Sequence, residues 1–383
     1  MHLASDEAVQ RKLPVVDANL GPGVNIYGYL NGEFGLGETS RRYSEALLDV
    51  GYPVALINAG IDIPHSCGDH RLSALVTDTS AYLVNIVFVN PDHFLDVLPK
   101  LQPGSYTIGF WFWELDVIPD GWLEALDRVD EVWVATEFIE KAFRQVTEKP
   151  VVRIPHPISI AATAEVSRAD FDLVADAFVF LCTFDFNSSI HRKNPYAVLD
   201  AFKLAFPEGT ENVQLVLKSS NGHRHVHELR KLHRYAKGDG RVLIRDQVLN
   251  VKQLRALQQT ADAYVSLHRA EGLGLGLAEC MAMGKPVIGT AWSGNLDFMS
   301  EENSCLVPCR LVPIQQGQYP HARGGVWAEV DVAVAANWMR CLASSPEVVA
   351  EKGAAARMAV AGSMSSAGAA EAMIARLRSL RSV

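Results

Sequence analysis

The chain alternates short β-branched and aromatic runs with longer stretches in which apolar positions return every three or four residues. In the first half the strand-like runs VNIYGYL, PVALIN, YLVNIVFV, YTIGFWFWEL, EVWVAT and VVRIPHPI interleave with the helical patterns GETSRRYSEALLDVG, PDHFLDVLPKL, DGWLEALDRV and EFIEKAFRQV. Nearly continuous apolar strands with helices between them call for a parallel sheet covered on both faces. After a polar stretch near 160–175 the pattern restarts. Strand-like AFVFLCTFDF, VQLVLKS, RVLIRD, DAYVSLH and KPVIGTAW alternate with helical PYAVLDAFKLAF, VHELRKLHRYA, VKQLRALQQTA and LGLAECMAMG. From about 330 the chain reads as helix. The expected class is therefore α/β, with two doubly wound Rossmann-like domains and a helical C-terminal segment. The Pro-rich RIPHPISI is the expected junction, because prolines hold a connection extended. The predicted boundaries are 1–160 and 161–364, with a helix at 365–383 returning to complete the first domain.

Ligands of open α/β sheets sit beyond the carboxyl ends of the strands, so two such domains facing one another predict a site in the cleft between them. The 383 residues are enough for both. The formal charge of -9 argues against nucleic acid as a main partner, since phosphate backbones are held by an excess of Lys and Arg. No run approaches the ~20 apolar residues of a membrane span. The N-terminus MHLASDEAVQRKL lacks a signal-peptide core, so a cytoplasmic protein is expected. Six scattered cysteines fit reduced thiols better than a disulfide framework.

The chemistry concentrates in EGLGLGLAECMAMGKPVIGT, which starts at Glu271. A buried strand runs into a glycine-rich turn and then a helix. Free N–H groups and the positive dipole end at such a helix start hold an anion such as a diphosphate. Glu271 precedes the turn and Glu279 lies inside the helix, so two carboxylates flank the anion site and can accept hydrogen bonds from sugar hydroxyls. The bland alternative is a surface loop capping a helix, with Glu279 a dipole partner. GxGxxG fails here, because position 277 is Leu277.

Glu271 and Glu279, with seven residues between them and followed by AMGKPVIGT and SGNLDFM, resemble the EX7E signature of the retaining glycosyltransferase family GT4, which has the GT-B fold. FDFNSSIHRKNPYAVLDAF resembles the segment that opens the family's second domain, and Arg192 and Lys193 match its basic pair for the donor diphosphate. The resemblance implies that Glu271 contacts the transferred sugar and Glu279 the donor ribose. It also implies that backbone around Gly272, Leu273, Gly274, Leu275 and Gly276 holds phosphate or sugar oxygens. A glycine-rich loop after the first strand approaches the diphosphate in such enzymes, and Gly35 and Gly37 match it. Residues 32–39, GEFGLGET, come near a Walker A loop, but Glu38 stands where the lysine belongs and would repel a triphosphate.

Many GT4 members carry a histidine near the end of the strand that here reads YTIGFWFWEL. This chain has Trp113, Glu114 and Asp116 instead. Glu114 is read either as a polar group toward acceptor or sugar, or as a strand-end cap beside core aromatics. The histidines of HRHVH (His223, His225, His227) are read, with Lys218 and Arg224, as a basic wall beside the nucleotide rather than as metal ligands; CLVPC has the wrong gap for a redox or zinc site. The expectation is thus a metal-independent hexosyltransferase with no cofactor beyond its nucleoside-diphosphate sugar. Likeness to mannosyltransferases of bacterial surface polysaccharides favours GDP-mannose as donor. The expected acceptor is a glycan or lipid-linked saccharide, the latter placing the protein peripherally on the inner membrane face. Another GT-B enzyme, such as an epimerase or phosphorylase, and a non-catalytic binding subunit are the rivals.

Overall fold

In a computed structural model, residues 23–63, 65–160, 166–322 and 324–380 are described. Six parallel strands build the first sheet: β1 (Val24–Gly28), β2 (Val54–Asn58), β3 (Val84–Val87), β4 (Tyr106–Phe110), β5 (Glu131–Val134) and β6 (Val151–Arg153), in the order β2-β1-β3-β4-β5-β6. Between them run α1 (Gly35–Asp49), α2 (Pro91–Phe94), α3 (Leu123–Asp127) and α4 (Glu137–Phe143).

The second sheet is also six-stranded and parallel, in the order β12-β11-β10-β7-β8-β9. Its elements are β7 (Phe178–Asp185), α5 (Ile190–Lys193), α6 (Pro195–Ala205), β8 (Val213–Ser220), α7 (Val226–Ala236), β9 (Val242–Asp246), α8 (Val251–Thr260), β10 (Ala263–Ser266), α9 (Leu275–Ala282), β11 (Val287–Thr290) and β12 (Cys305–Val307). A hairpin of β13 (Cys309–Pro313) and β14 (Val326–Val330) follows, then α10 (Val332–Ser344), α11 (Pro346–Ser363) and α12 (Ser366–Ser379). The inner strands of each sheet are buried on both faces, which is why they read as continuous apolar runs, while the edge strand β9 is half-buried.

Three features differ from the sequence reading. The helix expected over PDHFLDVLPKL is a single turn, α2, followed by a 3-10 turn at Leu98–Lys100. Pro99 lacks the N–H that would continue an α-helix and its ring opposes the preceding turn. The strand expected over YTIGFWFWEL stops at Phe110, so Trp113 and Glu114 lie on the loop beyond its carboxyl end. Finally, β12 and the β13/β14 hairpin had no place in the periodic pattern.

That hairpin inserts Trp327 into the core of the first lobe, among Trp111, Trp113 and Trp122. The C-terminal helix α12 also returns there: Ala369, Ala370, Met373 and Leu377 pack with Tyr43, Phe110 and Trp133. Arg376 clamps the buried Glu131 at the start of β5, its Nε 3.0 Å from Oε2. By contrast, α10 packs on the core of the second lobe with α6, and α11 on its other face with α9. The two lobes are therefore tied at the hairpin and at α12. All six cysteines are free thiols.

Candidate functional site

A cleft of about 700 Å³ lies between the carboxyl ends of the two sheets. In the second sheet the strand order reverses between β7 and β10, which are paired neighbours. Loops leaving two such strands diverge and open a crevice. The turn α5 after β7 carries Arg192 and Lys193, and the loop after β10 carries Glu271, so Lys193 and Glu271, 78 apart in sequence, face one another.

Lys193 Nζ donates to Glu271 Oε1 at 2.5 Å, and Arg192 Nη1 lies 3.1 Å from Glu271 Oε2. Arg192 is only 2% exposed. Its other amino group reaches Glu114 of the first lobe at 3.4 Å, while its Nη1 and Nε also donate to the carbonyls of Ala270 and Ser188. Tyr319, from the loop between β13 and β14, donates its hydroxyl to Glu114 Oε2 at 2.7 Å. Burial would push the Glu271 carboxyl up, but the charges of Lys193 and Arg192 outweigh it and hold it at about 2. Burial opposes the Arg192 charge, yet Glu114 and Glu271 raise its pKa above the ordinary guanidinium value. This cluster is locked by its ion pairs and hydrogen bonds.

Backbone geometry supports the lock. Ser189, Asn194 and Ser293 all have positive φ without being glycine, a conformation that costs roughly 1–3 kcal/mol each and collects at functional sites. Ser189 caps the helix turn holding Arg192, Asn194 terminates it, and Ser293 Oγ accepts the Glu271 N–H at 2.9 Å.

Gly272, Leu273, Gly274, Leu275, Gly276 and Leu277 line the cleft. Gly274 has φ +89° and forms the left-handed entry to α9, and a Cβ on Gly272 would sit 2.6 Å from the Trp113 carbonyl oxygen. The first bond across the start of α9 runs from Ala278 N–H to the Gly274 carbonyl, so the amides of Leu275, Gly276 and Leu277 precede any helical acceptor. Amides and dipole end together suit an anion. Lys218, near the end of β8, also lines the cleft; burial lowers its pKa, against the pull of Asp185 and Asp246.

Glu279 sits in a second cluster. Arg42, from α1 of the other lobe, donates through Nη2 to Glu279 Oε1, and Gln258 Nε2 donates to Oε2 at 3.1 Å. Arg42 Nε also binds Glu38 at 2.7 Å, and Arg41 and Arg71 bind the same Glu38. Burial works against ionising Glu38, but Arg42 and Arg71 hold its pKa far below the usual range. The carboxylate in the lysine position of a Walker loop is thus the hub of an arginine cluster.

The remaining expectations divide. Gly35 opens α1 and lines the cleft, whereas Gly37 lies inside the first helical turn, where a Cβ would meet the Gly32 carbonyl oxygen at 2.3 Å. Gly37 is a packing residue, not part of the cleft wall. Trp113 is core, its indole donating to the Val117 carbonyl, while Glu114 faces the cleft. His223 and His227 are exposed and His225 bonds Asn187 at 3.0 Å, so the three do not converge. Arg224 is exposed as well, and only Lys218 of the supposed basic wall lines the cleft.

Several residues were missed: Tyr319, Ser293, Arg42, Gln258 and His268. His268 is fully buried between Ser266 and Asn295, and burial pushes its pKa down. The first turn of α1, where Glu38 is followed by paired arginines, carried the only local signal, a charge cluster on an otherwise buried helix.

Residues 177–313 match the family model described as glycosyl transferases group 1. This segment carries β7 through β13 and both glutamates. No curated protein matches the chain. Among solved structures, sucrose-phosphate synthase from Thermosynechococcus elongatus is 19% identical, with a TM-score of 0.70 over 94% of this chain and 100% of that one. Anabaena HepE, solved with UDP and glucose, is 13% identical, with a TM-score of 0.65 over 94% and 100%. A TarM mutant of S. aureus, solved with fondaparinux, α-GlcNAc-glycerol and UDP, is 13% identical, with a TM-score of 0.58 over 80% of this chain; the chain spans 57% of its length. The fold is GT-B: two Rossmann-like lobes around a cleft, with a helical C-terminal segment. No helix among the described residues is long and apolar enough to cross a membrane.

Proposed function

We propose that the protein is a retaining glycosyltransferase that moves a hexose from a nucleoside-diphosphate sugar to a glycan or lipid-linked saccharide hydroxyl. The observation that carries this reading is the buried pairing of Glu271 with Arg192 and Lys193 beside the α9 amides, at the mouth of a cleft. As the glycosidic bond breaks, negative charge grows on the leaving diphosphate. Arg192, Lys193 and the amides of Leu275 and Gly276 stabilise that charge, and the ion pairs that hold them in place spare reorganisation during the reaction. Glu271 orients the transferred sugar through its hydroxyls, and Glu279 holds the ribose. Glu114, presented by the first lobe, meets the acceptor or the sugar where relatives use histidine. GDP-mannose is the favoured donor, no metal or further cofactor is required, and lipid-linked acceptors would bring the protein to a membrane surface.

The test is a transfer assay with GDP-mannose and UDP-hexoses over a set of glycan acceptors, reading released nucleoside diphosphate and product anomer by NMR. Donor-dependent product with retained configuration is expected. Epimerised donor without transfer, or phosphorolysis of a disaccharide, would replace this reading with another GT-B activity.

A further inference from the structure

Among the described residues, the buried side-chain atoms that line the cleft without a hydrogen-bond partner are Arg41 Nε, Arg255 Nε and one acceptor, Gln258 Oε1. Gln258, on α8, is 1% exposed and lines the cavity. Its Nε2 donates to Glu279 Oε2. That bond fixes the amide, because the flipped form would aim Oε1 at a carboxylate. Oε1 has no hydrogen-bond partner. A buried acceptor left unpaired is costly, and a ligand hydroxyl restores what folding removed.

We propose that Gln258 is a second ribose-reading group beside Glu279, so that the cleft selects ribonucleoside diphosphates over their deoxyribose analogues. The inference rests on the donor reading above. Each Glu279 oxygen has one protein donor and keeps a further lone pair, so Glu279 and Gln258 Oε1 present adjacent acceptors. Two hydroxyl donors on neighbouring atoms satisfy them, as in the 2′,3′-diol of a ribose. A phosphate, which brings only acceptors and negative charge, does not. Val251, Leu254, Arg255 and Gln258 all line the cavity at helical i, i+3, i+4, i+7 spacing, so one face of α8 runs from an apolar wall to the diol acceptors. A nucleoside lying along it has its base against Val251 and Leu254 and its ribose at Gln258. Arg42 does not line the cavity and acts through Glu279, as a positioning residue.

The experiment is isothermal titration of the wild type, Gln258→Leu, Gln258→Met and Glu279→Gln with GDP and UDP, and with the 2′-deoxy and 3′-deoxy forms of whichever binds tighter. The wild type should lose about tenfold in affinity on removal of one of the two hydroxyls, and both Gln258 variants should lose about tenfold toward the ribonucleotide while binding that deoxy analogue as the wild type does. Equal wild-type affinity for all three sugars overturns the inference without any variant. So does an equal loss toward all three in the Gln258 variants. If Glu279→Gln weakens binding and the Gln258 variants do not, the donor reading stands and Gln258 falls. If Glu279→Gln changes nothing, or neither nucleotide binds, the donor reading fails and takes this inference with it.

Discussion

The two carboxylates that bracket the glycine turn are held in opposite ways. Glu271 is neutralised within its own lobe by Arg192 and Lys193, with the other lobe contributing only Glu114 beyond them. Among the described residues, Glu279 makes its one ion pair with Arg42 of the facing lobe. The Glu271 ion pairs are thus internal to one lobe, and the Glu279–Arg42 pair joins α9 to α1. The Glu271 end of the cleft is assembled within one lobe, and the Glu279 end is assembled across both.

The strongest test of that contrast removes Arg192. Arg192→Ala leaves the buried Glu271 with Lys193 alone and the half-buried Glu114 without its guanidinium partner, and should cost about 3–5 kcal/mol in denaturant unfolding together with a roughly 10²-fold or greater loss of turnover. Arg42→Ala should behave differently. A loss of about 2–3 kcal/mol is expected, but the kinetic effect should appear in the donor KM, with kcat within a fewfold of wild type. Equal kcat losses in the two variants would erase the distinction between the clusters.

A pH titration probes the cross-lobe cluster from another side. His156, completely buried against Thr39 and near Arg42, is pushed down to about 3, chiefly by burial. A histidine kept neutral in the fold adds stability fully present above its ordinary value of 6.5 and lost as pH falls toward 3. The wild type should lose up to about 1.4 kcal/mol per pH unit below 6.5 from this group, and His156→Gln should remove that slope. Glu271 acts in a lower window: its depressed pKa stabilises above 4.5, and that contribution disappears as pH falls to about 2. Glu271→Gln should flatten only this acid limb. The smallest effect belongs to Tyr319→Phe, which deletes one hydrogen bond to Glu114 and should cost about 1 kcal/mol or a few-fold in activity. An unchanged rate would mean that Tyr319 does not hold Glu114 for the reaction.

Much of the architecture was legible because parallel strands buried on both faces must be continuously apolar, and helices between them must repeat every three to four residues. The glycine turn and its two glutamates were legible because they lie within nine consecutive residues. Pro99 was equally visible and should have shortened the helix over 91–101. The β13/β14 hairpin escaped because its partners in the core, Trp111 and Trp122, sit some two hundred residues earlier in the chain, and no local period marks a strand that packs on another lobe. Gln258 and Arg42 escaped for a related reason. Gln258 occupies a helix position indistinguishable from a solvated one, and the charge cluster around Arg42 on α1 does not reveal that its partner is Glu279.

By itself the sequence determined most of the strands and helices of the two sheets, the doubling of the α/β pattern and the residue types gathered at one glycine-rich turn. These follow from backbone propensity and from the burial period along a continuous chain. Only the tertiary structure decided which charges meet. It brought Arg192 and Lys193 to Glu271 through a reversal in strand order, and carried Arg42 across the cleft to Glu279. Electrostatic pairing depends on distance in space and on burial, neither of which is set by separation along the chain.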